Sequence, residues 1–266
     1  MADLVNVAPG QCRLTVDSSS QLSLQRWAGA YIPLKISGTW SAKLIPGTAP
    51  TLSNSGLTAA TLYYIYAFDS GGTLTLEAST TAPAIDADTG VKIKNADASR
   101  TLVGMVYMGA GTPGTFIDSV TRRLCLNWFN RRSLDLHGTY SADRTFNGTG
   151  AFADINSEIS LEFLSWADEA VFAAASGTVS NSSGGQASHM GLAVDSTSTP
   201  ISDVGHTITN ANQRQAWSLS LAQLQSEGRH LLSLLGRVSG GTATLCTATD
   251  TSIGTSKAHL WASVRG

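Results

Sequence analysis

Residues that could do chemistry are present in this chain, but their spacing assembles no recognisable catalytic site. No Gly-x-Ser-x-Gly nucleophile motif occurs. No histidine has a second histidine two or four positions away, the spacing that would build a metal site on one strand or helix. We therefore expect no catalytic residue and no metal site. We interpret the following histidines as surface or turn residues: His137, His189, His206, His230 and His259.

Carboxylates are the second source of chemistry. Glycoside hydrolysis needs two carboxylates that converge across a cleft, and a linear sequence cannot show convergence. Asp86 and Asp88 lie in a polar segment and could bind calcium, but no further oxygen ligands are evident beside them. We interpret this pair as a solvated turn and expect no bound cofactor and no enzymatic activity. A polysaccharide-degrading enzyme is the least favoured function.

A glycine-rich stretch, Gly109–Gly114 (GAGTPG), follows an apolar strand pattern and superficially matches a phosphate-binding loop. No Lys-Ser or Lys-Thr follows it, and no helix is predicted after it. A hairpin loop is therefore the better interpretation.

Positive charge is concentrated at both ends of the apolar run 124–129 (LCLNWF). The arginines there are solvated strand ends, donors to a neighbouring subunit, or nucleic-acid contacts. The net charge of −2 and the charged fraction of 14% disfavour nucleic acid, and the first two interpretations stay open. Since arginine is enriched in protein interfaces, the candidate subunit-interface residues are Arg122, Arg123, Arg131 and Arg132.

Two tryptophans, Trp217 and Trp261, lie in alternating strand patterns of the second half of the chain. An aromatic face offers apolar contacts to the CH groups of a sugar ring. The commoner place for a tryptophan in such a strand is the core. We retain both residues as candidate glycan contacts, with the core as the alternative.

The elements that position these residues are predicted to be β-strands. Alternating apolar and polar residues, separated by Gly, Ser and Thr, indicate hairpins in the first half. The segment 18–27 fits a helix or a strand, and the segment 46–56 reads as a loop. The strands predicted in this half are Arg13–Val16, Tyr31–Ile36, Gly38–Leu44, Leu57–Phe68, Thr73–Ser79, Val91–Lys94, Leu102–Met108 and Arg122–Phe129.

The second half predicts a jelly-roll-like sandwich, because short strands recur at even spacing between turn residues. The chain is thus all-β with two β modules: an N-terminal module at 1–136, a linker at 137–152 and a C-terminal module at 153–266. A helix at 223–235 is the less favoured alternative, because Gly228 lies within it. The strands predicted here are Glu158–Ser165, Glu169–Ser176, His189–Ser196, Gln215–Leu221, Arg229–Val238, Thr242–Thr247 and Lys257–Val264.

Three widely spaced cysteines, Cys12, Cys125 and Cys246, predict buried free thiols and a reducing compartment. The first residues, MADLVNVAPGQ, lack a basic segment followed by an apolar one, so we expect no signal peptide. No apolar run approaches the ~20 residues of a membrane helix, so we expect no membrane insertion. The low charged fraction favours a subunit whose surface is partly covered in an assembly.

Several segments resemble structural proteins of the virions of tailed bacteriophages. The likeness covers 10–135 well and 155–266 more loosely, and it includes RLTV, YIPL and the strand with Trp40. Its longer pieces are TLYYIYAFDSGGTLTLEAST, GVKIKNADASRTLVGMVYM, RRLCLNWFNRRS and EGRHLLSLLGRVSGGTATL, with a closing strand through VRG.

The resemblance implies a virion subunit that assembles in the bacterial cytoplasm, is a homotrimer, and contacts other virion proteins. It implies that the N-terminal module attaches to the particle and that the C-terminal module points outward. Tail fibre, minor tail protein and head decoration protein are all compatible with it. We favour a tail fibre or tail-tip component that mediates host attachment, with host surface glycan as a further partner. A head decoration protein or spike is the alternative.

Overall fold

The fold is all-β, as predicted. The computed structural model describes residues 10–246, 249–250, 254–255 and 257–266. Among these residues the helical structure is a single 3₁₀ turn at Ser157–Ile159, capped by the Asn156 side chain, which accepts a hydrogen bond from Glu158 N. None of the described helical segments has the length and hydropathy to cross a bilayer.

The chain divides into two compact units. The first comprises the described residues up to 118, residues 123–133 and Gly266. The second comprises 119–122 and the described part of 134–265. The segment 137–152, predicted as a linker, contains the end of the strand Ser133–Thr139 and the short strand Arg144–Phe146.

In the first part of the chain, strands β1 to β10 and β13 pair in antiparallel fashion. Their bounds are β1 (Cys12–Ser18), β2 (Gln21–Arg26), β3 (Tyr31–Ile36), β4 (Thr39–Leu44), β5 (Thr51–Ser53), β6 (Leu62–Ser70), β7 (Thr73–Ser79), β8 (Pro83–Ile85), β9 (Lys92–Lys94), β10 (Asp97–Tyr107), β11 (Asp118–Ser119), β12 (Arg122–Arg123) and β13 (Cys125–Asn127).

Several predicted strands are confirmed and others are corrected. The β3–β4 and β6–β7 hairpins are present, and the ambiguous segment 18–27 contains strand β2. The single strand predicted at Arg122–Phe129 was wrong, because the chain breaks at Leu124 into β12 and β13. The segment 46–56, predicted as a loop, contains the short strand β5, which pairs with β2.

Strand β10 is the centre of the first unit. It pairs with β6 along one edge, and with β9 and then β13 along the other. Residues 101–106 are buried, so both faces of the strand are covered. A β-bulge lies between Leu102 and Gly104. A Cβ atom on Gly104 would lie 2.3 Å from the carbonyl oxygen of Leu126 in β13, so the pairing requires glycine there.

The core of the first unit lies where β1, β2 and β3 meet this sheet. Thr101 on β10 donates a buried hydrogen bond of 2.7 Å to the carbonyl oxygen of Pro33 on β3. The buried apolar side chains around this contact exclude water from it. They include Leu14, Leu22, Leu24, Ile32, Leu34, Ile45, Tyr63, Ile65, Val103, Val106, Met108 and Phe116.

The second unit contains the remaining strands. The helix considered at 223–235 is absent, and that segment belongs mostly to strand β22. Thr247, the last residue of one predicted strand, lies outside the described residues. The bounds are β14 (Ser133–Thr139), β15 (Arg144–Phe146), β16 (Ala153–Asp154), β17 (Leu161–Ser165), β18 (Ala170–Asn181), β19 (Gln186–Val194), β20 (Ser202–Ile208), β21 (Gln215–Leu224), β22 (Gly228–Val238), β23 (Ala243–Cys246), β24 (Thr249–Asp250), β25 (Gly254–Thr255) and β26 (His259–Arg265).

Two sheets form the body of the second unit. One has the order β11-β12-β17-β22-β19-β20, with β16 also paired to β22. The other has the order β14-β26-β18-β23-β15, with β21 paired to the free edge of β18. The sheets contact each other through β17 with β26 and β18 with β19. This two-layer arrangement agrees with the jelly-roll-like sandwich expected from the sequence.

The close approach of β13 to β10 generates a prediction. Replacing Gly104 by Ala should lower the free energy of unfolding by about 1–3 kcal/mol, because the added methyl group collides with backbone and not with a movable side chain. Urea denaturation measures the change. Gly47→Ala is the matched control, because no atom lies within 4 Å of the Cβ position at Gly47. Equal stability of the two variants would contradict the structure.

Candidate functional site

Arg122, a candidate interface residue, forms an ion pair within the second unit. Its Nη2 and Nε atoms donate to Glu162 Oε2 at 2.9 and 3.1 Å. Arg229 Nη2 lies 3.1 Å from the other oxygen of the same carboxylate. Burial raises the pKa of Glu162, but the hydrogen bonds from both arginines outweigh this and hold the pKa below its usual range.

Arg123 is also engaged within its own unit. Its Nη1 donates to Asp118 Oδ1 at 3.1 Å, and most of its side chain is covered. The guanidinium groups of Arg122 and Arg123 therefore hold neighbouring strands in register. Because both guanidinium groups already bind carboxylates of the same chain, they have fewer hydrogen-bond donors left for a second subunit.

The second arginine pair lies against aromatic and cationic groups of the first unit. The Arg131 guanidinium lies 4.3 Å from the ring centre of Trp128, and the Lys92 ammonium lies 5.6 Å from the same ring. The backbone of Arg132 exchanges two hydrogen bonds of 2.9 Å with Gly266, and its side chain is exposed. Burial, and secondarily the charge of Arg132, lower the pKa of Arg13. Of the four candidate arginines, Arg132 presents its charge most openly.

Trp261 lies on the exposed face of the sheet around β18. It is opposite Ala174, while Phe172, two residues earlier on β18, is opposite Ser263. The two aromatic side chains therefore share one face of the sheet, and they are 40% and 54% exposed. We call this surface the neutral face: Phe172, Ala174, Ser176, Ser218, Ser220, Ala222, Trp261 and Ser263. His259, opposite Ser176, and Arg265, at the end of β26, lie on the same side of the sheet and border this surface.

Trp217 points to the opposite side of the same sheet. It is opposite Gly177 on β18 and only 4% exposed, so it offers no open ring face to a sugar. It lines a cleft of about 400 Å³ together with His206 on β20. The buried Nε1 of Trp217 and Nε2 of His206 have no hydrogen-bond partner among the described residues. The structure thus brings together Trp217, a predicted candidate, and His206, which was predicted to be a surface or turn residue.

His230 corrects the interpretation of the histidines as surface or turn residues. It is 4% exposed, and its Nδ1 lies 2.7 Å from Asp195 Oδ2 and its Nε2 2.9 Å from the carbonyl oxygen of Ser226. Each ring nitrogen thus faces an oxygen atom, and the imidazole tautomer sets which nitrogen donates. Asp195 also accepts from Leu231 N at 2.8 Å. The group ties the end of β19 to β22, across a sequence separation that no local pattern reveals.

Asp86 corrects the interpretation of its segment as a solvated turn. Its carboxylate is 7% exposed and accepts from Thr89 N at 3.1 Å, from Thr89 Oγ1 at 2.8 Å, and from Lys35 at 3.5 Å. Burial raises the pKa of Asp86, but these contacts outweigh it and lower the pKa overall. Asp88 is exposed, as expected. In the described part of the chain, no three His, Cys, Asp or Glu side chains are grouped as metal ligands.

The glycine-rich stretch 109–114 agrees with the hairpin-loop interpretation. Gly109 and Thr115 pair across it, with Gly109 N donating to Thr115 O at 2.7 Å. Together with residues 56–59 it borders a cleft of about 450 Å³ that is lined by small and apolar residues. No charged side chain lines this cleft, which leaves a phosphate group without a cation to bind.

The three cysteines are buried and free, as predicted. Burial raises the pKa of Cys12 to about 12 and raises the pKa of Cys125 further. The thiol is thus the stable form of both residues, and the nucleophilic thiolate is suppressed.

Comparisons with protein families and with characterised proteins find no match to this sequence. Solved structures with a distant likeness include the insecticidal δ-endotoxin Cry8Ea1 of Bacillus thuringiensis, at 8% identity and a TM-score of 0.31; the likeness covers 94% of this chain and 51% of the toxin chain. This chain thus spans about half the length of that toxin.

Two structures of infectious bursal disease virus are similarly distant. The Gt strain matches at 13% identity and a TM-score of 0.31, over 97% of this chain and 80% of that chain. The T13 particle matches at 11% identity and a TM-score of 0.30, over 96% and 71%. These scores are too low to assign a fold family or an activity.

The ion pairs around Glu162 generate a prediction. Glu162→Gln should lower the free energy of unfolding at neutral pH and reduce its loss in acid. The folded-state pKa of Glu162 is depressed, so its stabilisation is complete above the ordinary carboxyl pKa of about 4.3 and is lost as the pH falls through the folded value. Urea denaturation from neutral to acidic pH measures both effects.

Asp203→Asn is the control, because Asp203 is an exposed carboxylate of the same unit. This variant should retain the acid dependence of the unmodified protein. An acid dependence that is identical in the unmodified protein and Glu162→Gln would show that the ion pairs do not contribute.

Proposed function

We propose that this chain is a structural subunit of a bacteriophage virion, and that it is a tail fibre or tail-tip component that contacts the host surface. In this proposal the chain has no catalytic role. The segments that resemble virion proteins of tailed phages support the class, and the low charged fraction of 14% supports a subunit made for assembly.

The observation that carries the proposal is the neutral face. Two exposed aromatic side chains, Phe172 and Trp261, stand among serines and alanines, and the ionisable residues of this side of the sheet lie at its border. Exposed aromatic groups on a flat sheet give large contact area at a small cost in conformational entropy. Small neutral neighbours let a partner approach the rings closely. Such a surface suits repeated contact with another macromolecule better than it suits free solution.

The proposal assigns the two units different tasks. The second unit carries the neutral face and contacts the host. The first unit attaches the subunit to other copies and to the particle, with Arg132 as an exposed cation for that contact. A homotrimer is the proposed state, because the resemblance to virion proteins of tailed phages implies three copies; closed symmetry in general is how homo-oligomers form. Sedimentation equilibrium of the purified chain distinguishes one, two and three copies.

The test uses particles that carry Phe172→Ser together with Trp261→Ser. If the neutral face contacts the host, these particles contain the normal amount of the protein but adsorb to host cells at least tenfold more slowly. Both residues are exposed, so the fold should survive, and an unchanged thermal midpoint of the purified variant verifies this. Adsorption at the unmodified rate would contradict attachment through this face.

Ile201→Ser is the matched control, because Ile201 is an apolar residue of comparable exposure outside the neutral face. It should change neither adsorption nor incorporation. Antibody labelling of the particle in electron micrographs places the protein. Label on the tail tip supports the proposal, whereas label distributed over the head supports a decoration protein. Release of reducing ends from host polysaccharide by the purified chain would overturn the non-catalytic assignment.

A further inference from the structure

The two sheets of the second unit meet at one edge through β20 and β21, and a cleft lies between these strands. Strand β20 pairs only with β19, and strand β21 pairs only with β18, so each presents an edge that lacks a further partner strand among the described residues. The two strands contact each other across the sandwich. The cleft of about 400 Å³ between them is lined by Val204, His206, Ala216, Trp217 and Ser218.

Two residues that line this cleft each carry a buried nitrogen atom without a hydrogen-bond partner among the described residues. Trp217 is 4% exposed, and its indole Nε1–H is covered yet donates to no atom of the described structure. His206 is half-buried, and its Nε2 is likewise covered and unpaired. Ser188, opposite His206 on β19, already accepts from Asn181 Nδ2 at 3.2 Å. Both orphan nitrogens belong to residues that line one cleft.

Leaving such groups unpaired opposes folding, because a buried donor without a partner loses its hydrogen bond to water and gains none. A purely structural role for Trp217 would be met by an apolar side chain without the N–H group. The indole N–H offers a donor, and the imidazole offers a donor or an acceptor according to its tautomer. The pair is therefore suited to a hydroxyl group, which can accept from one nitrogen and bond to the other.

The lining defines the remaining chemistry of the ligand. Val204 and Ala216 are apolar, and no charged side chain lines the cleft, so the ligand is neutral and partly apolar. Binding sites for small molecules span about 300–1,000 Å³, and this cleft is near the lower limit. One hydroxylated ring fits that description, whereas an extended chain does not.

We propose that the cleft between β20 and β21 binds a small neutral hydroxylated molecule, of the size of one sugar ring, through Trp217 Nε1 and His206 Nε2. Trp217 acts through the edge of its ring and not as a stacking platform. The half-buried His206 on an edge strand rotates to admit the ligand oxygen. The inference concerns the second unit alone and does not rest on the proposed virion function.

The test follows the tryptophan indole N–H signals of the full chain by ¹H–¹⁵N NMR while monosaccharides are added. The probes are galactose, mannose, rhamnose and N-acetylglucosamine, each up to tens of millimolar. At least one should shift the Trp217 signal saturably and leave the exposed Trp261 signal unchanged. Trp217→Phe assigns the signal and removes the donor. His206→Phe keeps an aromatic ring without its nitrogens and should weaken binding at least tenfold.

Several results would overturn the inference. One such result would be that no sugar shifts the Trp217 signal, and another that a sugar shifts only the Trp261 signal. A third would be that His206→Phe binds the sugar as tightly as the unmodified chain does. Toluene is the apolar comparison. Saturable binding of toluene with no response to any sugar would identify an apolar cavity and would also reject the proposed hydroxyl contact. Failure of host adsorption tests has no bearing on these outcomes, so the two proposals can fail separately.

Discussion

Each unit depends on one long strand whose backbone is hydrogen-bonded along both edges. In both cases one edge is filled by a single strand, β6 for β10 and β21 for β18, and the other edge is shared by two shorter strands. Strand β9 joins β10 through a short turn, whereas β23 and β26 follow β18 only after four or more intervening strands. The sheet around β18 is therefore complete only after long loops have closed. Burial of both faces forces small or apolar residues on β10, whereas β18 keeps one face open to solvent.

The few charged residues are used mainly to fix these sheets. Glu162 holds Arg122 and Arg229 together, and Glu77 does the same for Lys94 and Arg100. Each of these partly buried carboxylates binds two cations. A change in strand register would separate the partners and leave a charge poorly compensated, so the ion pairs favour one register. The contacts that we propose with a host surface and with a small ligand use surfaces with few charges, namely the neutral face and the cleft at the sandwich edge.

Local patterns predicted the hairpins well, because alternation and turn residues act over a few positions. The strand at Thr73–Ser79 has the predicted bounds. Strand β20 was missed because SDVGHTI places a glycine and polar residues where alternation would be recognised. The candidate site was predicted only in part, since Trp217 was selected for its ring face and its partner His206 was dismissed as a surface residue. Their juxtaposition depends on two sheets meeting, and no sequence spacing encodes it.

The buried thiols have a practical consequence for how the two units can be studied. Cys12 and Cys125 belong to the first unit and Cys246 to the second, and all three are enclosed in the native state. An alkylating reagent can reach a sulfur only when the surrounding layer opens. The rate of modification at each position therefore reports how often the structure around that cysteine opens locally under native conditions. The chain carries its own probes for comparing the kinetics of its two halves, without any engineered label.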